Sequence, residues 1–227
     1  MKATLPQKVL YFVVRNVIVG FCKLFWRLSV EGREHIPAHG PFILSPVHRS
    51  NIDTPLVAAC TRRRVHYMGK QEMWKFKASA AFFTAMGGFP VNRGAADREA
   101  LRKCVQVIEA GEPLVIFPEG TRRSGPIVED MFEGAAYVAT KTGAPIIPVG
   151  IGGSEPAMPK GAKFIKPVKC HLIIGPPLHP EAGEPGKAPR RAVRELNGRL
   201  QAELQRLFDE AQAKVGTPNP LPPAPAA

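Results

Sequence analysis

Cysteine is scarce in this chain: four of 227 residues, at positions 22, 60, 104 and 170, with no Cys-x-x-Cys pair among them. That spacing excludes a zinc finger and a dithiol redox centre, and the expectation is four buried, reduced thiols, which suits a reducing compartment. Aromatic residues are only 7% of the chain, and many fall in the N-terminal segment. There is no aromatic RNA-binding motif, no helix-turn-helix signature and no zinc-finger spacing, so nucleic acid is not expected as a partner. His35, His39, His66, His171 and His179 are scattered, none sharing a repeated helical spacing with a carboxylate, and no metal site is expected. Acidic side chains are also few, 19 Asp and Glu against 31 Lys and Arg, for a formal net charge of +12. That surplus favours anionic partners such as a phospholipid surface or an acidic carrier protein. No uncharged run reaches the roughly 20 apolar residues of a membrane span. Arg15 interrupts the first apolar segment and no small-x-small site follows Trp26, so a signal peptide is not expected. There is no internal repeat.

What is present is enough for one domain with a sizeable core: 44% hydrophobic and 22% charged residues. Apolar runs over 42–45, 65–68, 89–92, 114–117, 146–151 and 169–174 read as strands. Stretches over 55–60, 74–86, 97–110 and 135–142 read as helices. Their alternation predicts an α/β fold, a single domain with a mostly parallel mixed sheet flanked by helices. From Arg190 to Ala213, Val193, Leu196, Leu200, Leu204, Leu207 and Ala211 recur at intervals of three and four, the pattern of an amphipathic closing helix. The domain is expected over residues 30–215. The Pro/Ala-rich end, 216–227, has no periodicity and reads as a disordered tail.

Residues 1–29 form a separate unit. From Val9 to Leu28 apolar residues repeat at helical spacing, while Lys8, Arg15, Lys23 and Arg27 gather on one arc. An apolar face beside a basic stripe predicts a helix lying in a membrane interface. An ordinary surface helix packed on the core is the alternative. The aromatics Phe12, Phe21, Phe25 and Trp26 favour the membrane.

The chemistry lies in two clusters, each at the end of a predicted strand, where open α/β sheets build their ligand crevice. In the first, His48 stands five positions before Asp53. An imidazole is the usual base near neutral pH, and a carboxylate on its far nitrogen fixes the tautomer and steadies the imidazolium. Asp53 also suits a helix start ahead of Thr54-Pro55; the two roles can coexist. The second cluster is Phe117-Pro118-Glu119-Gly120-Thr121-Arg122. Here the Arg122 guanidinium and the free backbone amides around Gly120 and Thr121 can share a phosphate. Arg93 and Lys70, in other strand-end loops, offer further cations, with a solvated surface charge as the alternative for each. Glu119 either orders Arg122 or binds the acceptor. Together the clusters read as an enzyme that removes a proton from a hydroxyl of a phosphate-bearing substrate. No nucleophile elbow appears, so direct attack without an acyl-enzyme is expected.

The order of these motifs resembles that of the glycerolipid acyltransferases that acylate lysophosphatidic acid. Four blocks correspond: His48 to Asp53; Gly87-Gly88-Phe89-Pro90-Val91-Asn92-Arg93-Gly94; Phe117 to Arg122; and Ala144-Pro145-Ile146-Ile147-Pro148-Val149-Gly150-Ile151. The resemblance runs from about Val30 to Pro177. Two positions depart from the family's pattern. Val47 stands where Asn usually precedes the histidine, and Glu133 stands where a basic residue tends to precede Gly134.

The resemblance implies transfer of a fatty acyl group from acyl-CoA or acyl carrier protein, as co-substrate and without a cofactor, to the free hydroxyl of 1-acylglycerol 3-phosphate. It implies that Arg122, Arg93 and Lys70 contact the acceptor's phosphate, and it links the 144–151 block to the acyl-donor side. A peripheral or monotopic enzyme on the cytoplasmic face of a membrane is expected. Another lysolipid, glycerol 3-phosphate or a glycolipid as acceptor, or a non-catalytic membrane-binding module, are the competing readings.

Overall fold

In the computed structural model residues 4–91, 98–181 and 186–220 are described. Seven strands form one sheet: β1 Ser29–Glu31, β2 Ile43–Pro46, β3 His66–Lys70, β4 Gly88–Val91, β5 Leu114–Val115, β6 Ile146–Gly152 and β7 His171–Ile174, in the order β1-β7-β6-β2-β5-β3-β4. All pairings are parallel except β6 with β7. Strands β2 and β6 are buried at every position, as their largely apolar composition requires of strands covered on both faces; Ser45, the polar exception, donates to the Ile116 carbonyl. The α/β expectation is met. β1 escaped the sequence reading because three residues are too few to show a period. Its partner is β7, 142 positions away, so only the folded chain brings the two together.

The helices are α1 Leu5–Phe25, α2 Asp53–Val57, α3 Lys77–Ala85, α4 Arg98–Glu109, α5 Gly134–Thr142, α6 Ser154–Ala157 and α7 Arg190–Lys214. α3 is shorter than expected, because 71–74 form a separate 3-10 turn. α7 lies across β6 and β7 with its leucines buried. The approach is so close that a Cβ on Gly150 would stand 2.2 Å from the Leu207 carbonyl oxygen, and one on Gly152 2.2 Å from that of Ala211. These two glycines let a 25-residue helix pack directly on strand backbone.

α1 carries a correction. Arg15 does not belong to an outward basic stripe. It is 7% exposed and donates Nε to the Thr61 carbonyl at 2.9 Å, alongside buried Tyr11, Val19 and Cys22. Lys8, Lys23 and Arg27 do face outward. Apart from Asn16, the rest of the outward arc is apolar: Val9, Phe12, Val13, Val17, Phe21 and Leu24, the last 85% exposed. No helix among the described residues is long and apolar enough to cross a membrane. Of the expected tail, residues 221–227 lie outside the described residues.

Candidate active site

β2 delivers the chain to the site. Val47, at the departure from the family pattern, is fully buried, and its N–H donates to the Val149 carbonyl on β6 at 3.1 Å. Its side chain belongs to the core, and the histidine loop is held by other groups. The loop then turns into α2, whose first residue is Asp53. One oxygen of this fully buried carboxylate, Oδ2, accepts from His48 Nδ1 at 2.9 Å and from the backbone N–H groups of Arg49 and Ser50, each at 2.7 Å. A carboxylate gripping the loop backbone and the ring at once leaves the imidazole little freedom. With Nδ1 donating, Nε2 carries the lone pair. The His48 ring rests on Phe117, centroids 4.2 Å apart, with its side chain 14% exposed. Asp53 thus serves both as helix start and as orienting group.

The second loop is fastened to the first. Glu119, fully buried, accepts from the His48 N–H at 2.6 Å and forms an ion pair with Arg49 Nη1. The Arg123 N–H donates to the His48 carbonyl at 2.9 Å. Arg49 also donates Nε to Gly125 O at 3.2 Å and Nη2 to Ile127 O at 2.9 Å, with its guanidinium 4.9 Å from the Phe208 ring centre. The sequence pattern assigned Arg49 no role. Its burial shows only when the pairing of β2 with β5 sets the two loops side by side. The geometry departs from both readings of Glu119: its two oxygens are engaged beneath the histidine loop, by the His48 N–H and by Arg49, and neither reaches Arg122.

The Gly120–Thr121 turn, expected to cradle a phosphate, differs from that expectation in one respect. The amides of Gly120 and Thr121 are not free: they donate to Phe117 O at 3.0 Å and Glu119 O at 2.7 Å. The reason is the tight turn there. Gly120 has φ +65°, and a Cβ would stand 2.5 Å from the Phe132 ring. What remains for an anion is side chain. Arg122 is half-buried, Lys70 is exposed at the end of β3, and neither has an acidic partner among the described residues. Both line the same cavity as His48 and Thr121. Arg93 lies outside the described residues. Glu133, the other departure from the family pattern, precedes α5 and faces Arg194 at 3.8 Å on the surface, outside the cavity lining.

The cavity holds about 590 Å³. Its polar wall includes His48, Thr121, Arg122 and Lys70, with Arg15 from α1, and its apolar part includes Ile18, Met68, Met73, Phe82, Phe83 and Met86. Trp74 lies over Gly69 and Gly88, where a Cβ would come within 2.6 Å and 3.1 Å of its ring, and its Nε1 donates to Thr84 Oγ1 at 3.1 Å. Among the described residues no group of three His, Cys, Asp or Glu could hold a metal.

An α/β sheet with a carboxylate-held histidine after one strand and a Glu-Gly-Thr-Arg turn after its neighbour defines an acyltransferase. The family model described as Acyltransferase matches residues 27–152, more than half of the chain, and the chain belongs to that family. It is 29% identical over 205 residues to the 1-acyl-sn-glycerol-3-phosphate acyltransferase of Bacillus subtilis, covering 88% of this chain and 100% of that one. It is 24% identical over 159 residues to the chloroplastic 1-acyl-sn-glycerol-3-phosphate acyltransferase LPAT1 of Arabidopsis thaliana, covering 68% of this chain but only 44% of the plant protein. Its fold is similar to the crystal structure of the 1-acyl-sn-glycerophosphate acyltransferase PlsC from Thermotoga maritima, with TM-score 0.74, 27% identity, and 89% and 81% of the two chains covered.

Proposed function

We infer that this acyltransferase moves a fatty acyl group from a thioester, acyl-CoA or acyl carrier protein, to the free hydroxyl of 1-acylglycerol 3-phosphate, forming phosphatidic acid. The observation that carries this is one cavity joining a carboxylate-oriented imidazole, two cations without acidic partners among the described residues, and an apolar pocket. His48 Nε2 takes the hydroxyl proton as the oxygen attacks the thioester carbonyl. The C–O ester bond forms, the C–S bond breaks, and the proton passes from imidazolium to the departing thiolate. Asp53 stabilises the transient imidazolium through Nδ1. Arg122 and Lys70, with Arg93, bind the acceptor's phosphate, and the apolar pocket takes an acyl chain. The relatives' names support this acceptor over other lysolipids. The outward apolar arc of α1 supports attachment to a membrane interface, where both lipid substrates reside.

Release of free thiol from acyl-CoA, titrated against candidate acceptors, tests the reaction. The expected result is release that depends on 1-acylglycerol 3-phosphate. No release with any lysophospholipid, using either donor, would overturn the reading. Arg122→Ala is expected to raise the apparent KM for the acceptor more than for the donor, and Arg122→Lys to restore it only in part, because an ammonium cannot make the forked pair. A change confined to the thioester's KM would place Arg122 on the donor side.

A further inference from the structure

The turn between α6 and β7 has no part in the chemistry above. Residues 158–169 contain Lys160, Lys163, Lys166 and Lys169 and no acidic residue. The first three are exposed and pair with no carboxylate among the described residues, whereas Lys169 donates to the Lys214 carbonyl at the end of α7. In their midst Phe164 is 82% exposed, with Ile165 exposed beside it. The backbone here is well fastened. Ser50 Oγ, two residues from His48, donates to Met158 O at 2.7 Å. Lys166 N–H donates to Ala157 O at 2.8 Å, and Trp26 Nε1 donates to Lys166 O at 3.0 Å. Trp26 in turn packs edge-on against Phe21 and Phe25 at the end of α1. The turn therefore bridges the catalytic loop and the C-terminal end of the outward apolar arc. A fixed backbone that holds a phenylalanine out among unpaired lysines has the composition of an interfacial anchor, an apolar insert ringed by cations.

We propose that the 158–169 turn is a second membrane-contacting element, in which Phe164 enters the acyl boundary of an anionic phospholipid bilayer and Lys160, Lys163 and Lys166 engage its headgroups. It rests on the interfacial reading of α1 and adds a second point of attachment, joined by Ser50 to the catalytic loop.

All four native cysteines are buried, so Phe164→Cys in the full-length chain can be labelled selectively with an environment-sensitive fluorophore. Vesicles of phosphatidylcholine with phosphatidylglycerol should shift its emission to the blue, and phosphatidylcholine alone should do so less. The triple variant K160Q/K163Q/K166Q should lose partitioning to the anionic vesicles by roughly fivefold per lysine removed, while its turnover on a short-chain, water-soluble acceptor stays that of the parent. If the protein sediments with anionic vesicles but the label stays water-like and the triple variant binds as the parent does, the turn is not an anchor and the α1 reading survives alone. If nothing sediments, both fall. A blue shift produced by an acidic carrier protein and not by vesicles would overturn the proposal in favour of a protein partner.

Discussion

His48 stands on a lattice of three hydrogen bonds to a single oxygen of Asp53 and two contacts from Glu119. The ring itself sits at the cavity wall, outside the core. His48→Ala should therefore lower turnover about 10²-fold or more with little change in melting temperature, since a positioned base contributes on that scale. Asp53→Asn should be impaired with a smaller change in stability, because an amide oxygen can still accept from the loop N–H groups but carries no charge to stabilise the imidazolium. Turnover and thermal unfolding measured on both variants check this; a His48→Ala enzyme retaining a tenth of parental turnover would remove the general-base assignment. Arg49→Ala leaves Glu119 buried without its cation, a change worth about 3–5 kcal/mol. The Arg49→Ala/Glu119→Gln pair should cost less than the two single changes added together. Denaturant unfolding of the four species gives the coupling, and strict additivity would show that the pair does not act as a unit. His48, Asp53 and Arg122 were legible in the sequence because their motif spacing is local. Arg49 and the engaged amides of Gly120 and Thr121 were not, because burial and turn hydrogen bonds follow from contacts across some 70 residues.

At the scale of elements, α1 has two jobs that its periodicity alone did not separate. Its inner face, Tyr11, Arg15, Val19 and Cys22, closes the side of the cavity and joins the core. Its outer arc is apolar and uncovered in the described chain. Removing residues 1–28 would expose the core as well as any membrane contact, so the sharper experiment changes the outer arc alone. Val9→Ser, Val13→Ser and Val17→Ser together should leave thermal stability near that of the parent and sharply reduce co-sedimentation with anionic vesicles, because interfacial binding scales with buried apolar area. Equal partitioning of variant and parent would make α1 a packing element only. The helical period of α1 was readable. The inward placement of Arg15 was not, since a guanidinium turns inward only where a carbonyl such as that of Thr61 stands ready to accept from it.

At the scale of the whole molecule, net charge and buried histidines govern the response to solution conditions. His66 is buried on β3, accepts from Arg64 Nη1 at 3.0 Å, and has its pKa lowered to about 4 by burial and by that neighbouring cation. Its ordinary value is 6.5. Above pH 6.5 the ring is neutral folded or unfolded, and stability is unaffected. As pH falls from 6.5 towards 4 only the unfolded chain takes up the proton, so stability declines across that window, by on the order of 3 kcal/mol at most for the full shift. His66→Gln should flatten the decline, and melting temperatures of parent and variant from pH 7.5 to 4.5 measure it. Parallel curves would mean that other groups set the acid limb.

Composition, hydrophobic period and motif order by themselves determined the α/β class and six of the seven strands, and singled out His48, Asp53 and Arg122 as candidates, because these are written in short-range pattern. Tertiary structure alone decided that β7 runs against β6 and recruits β1, and that Glu119 and Arg49 lock two strand-end loops together. It also decided that α1 turns its one mid-helix charge inward and its apolar arc outward. Each of these depends on which surfaces meet once the sheet has formed, and the free energy of burying or pairing a side chain is set by its neighbours in space.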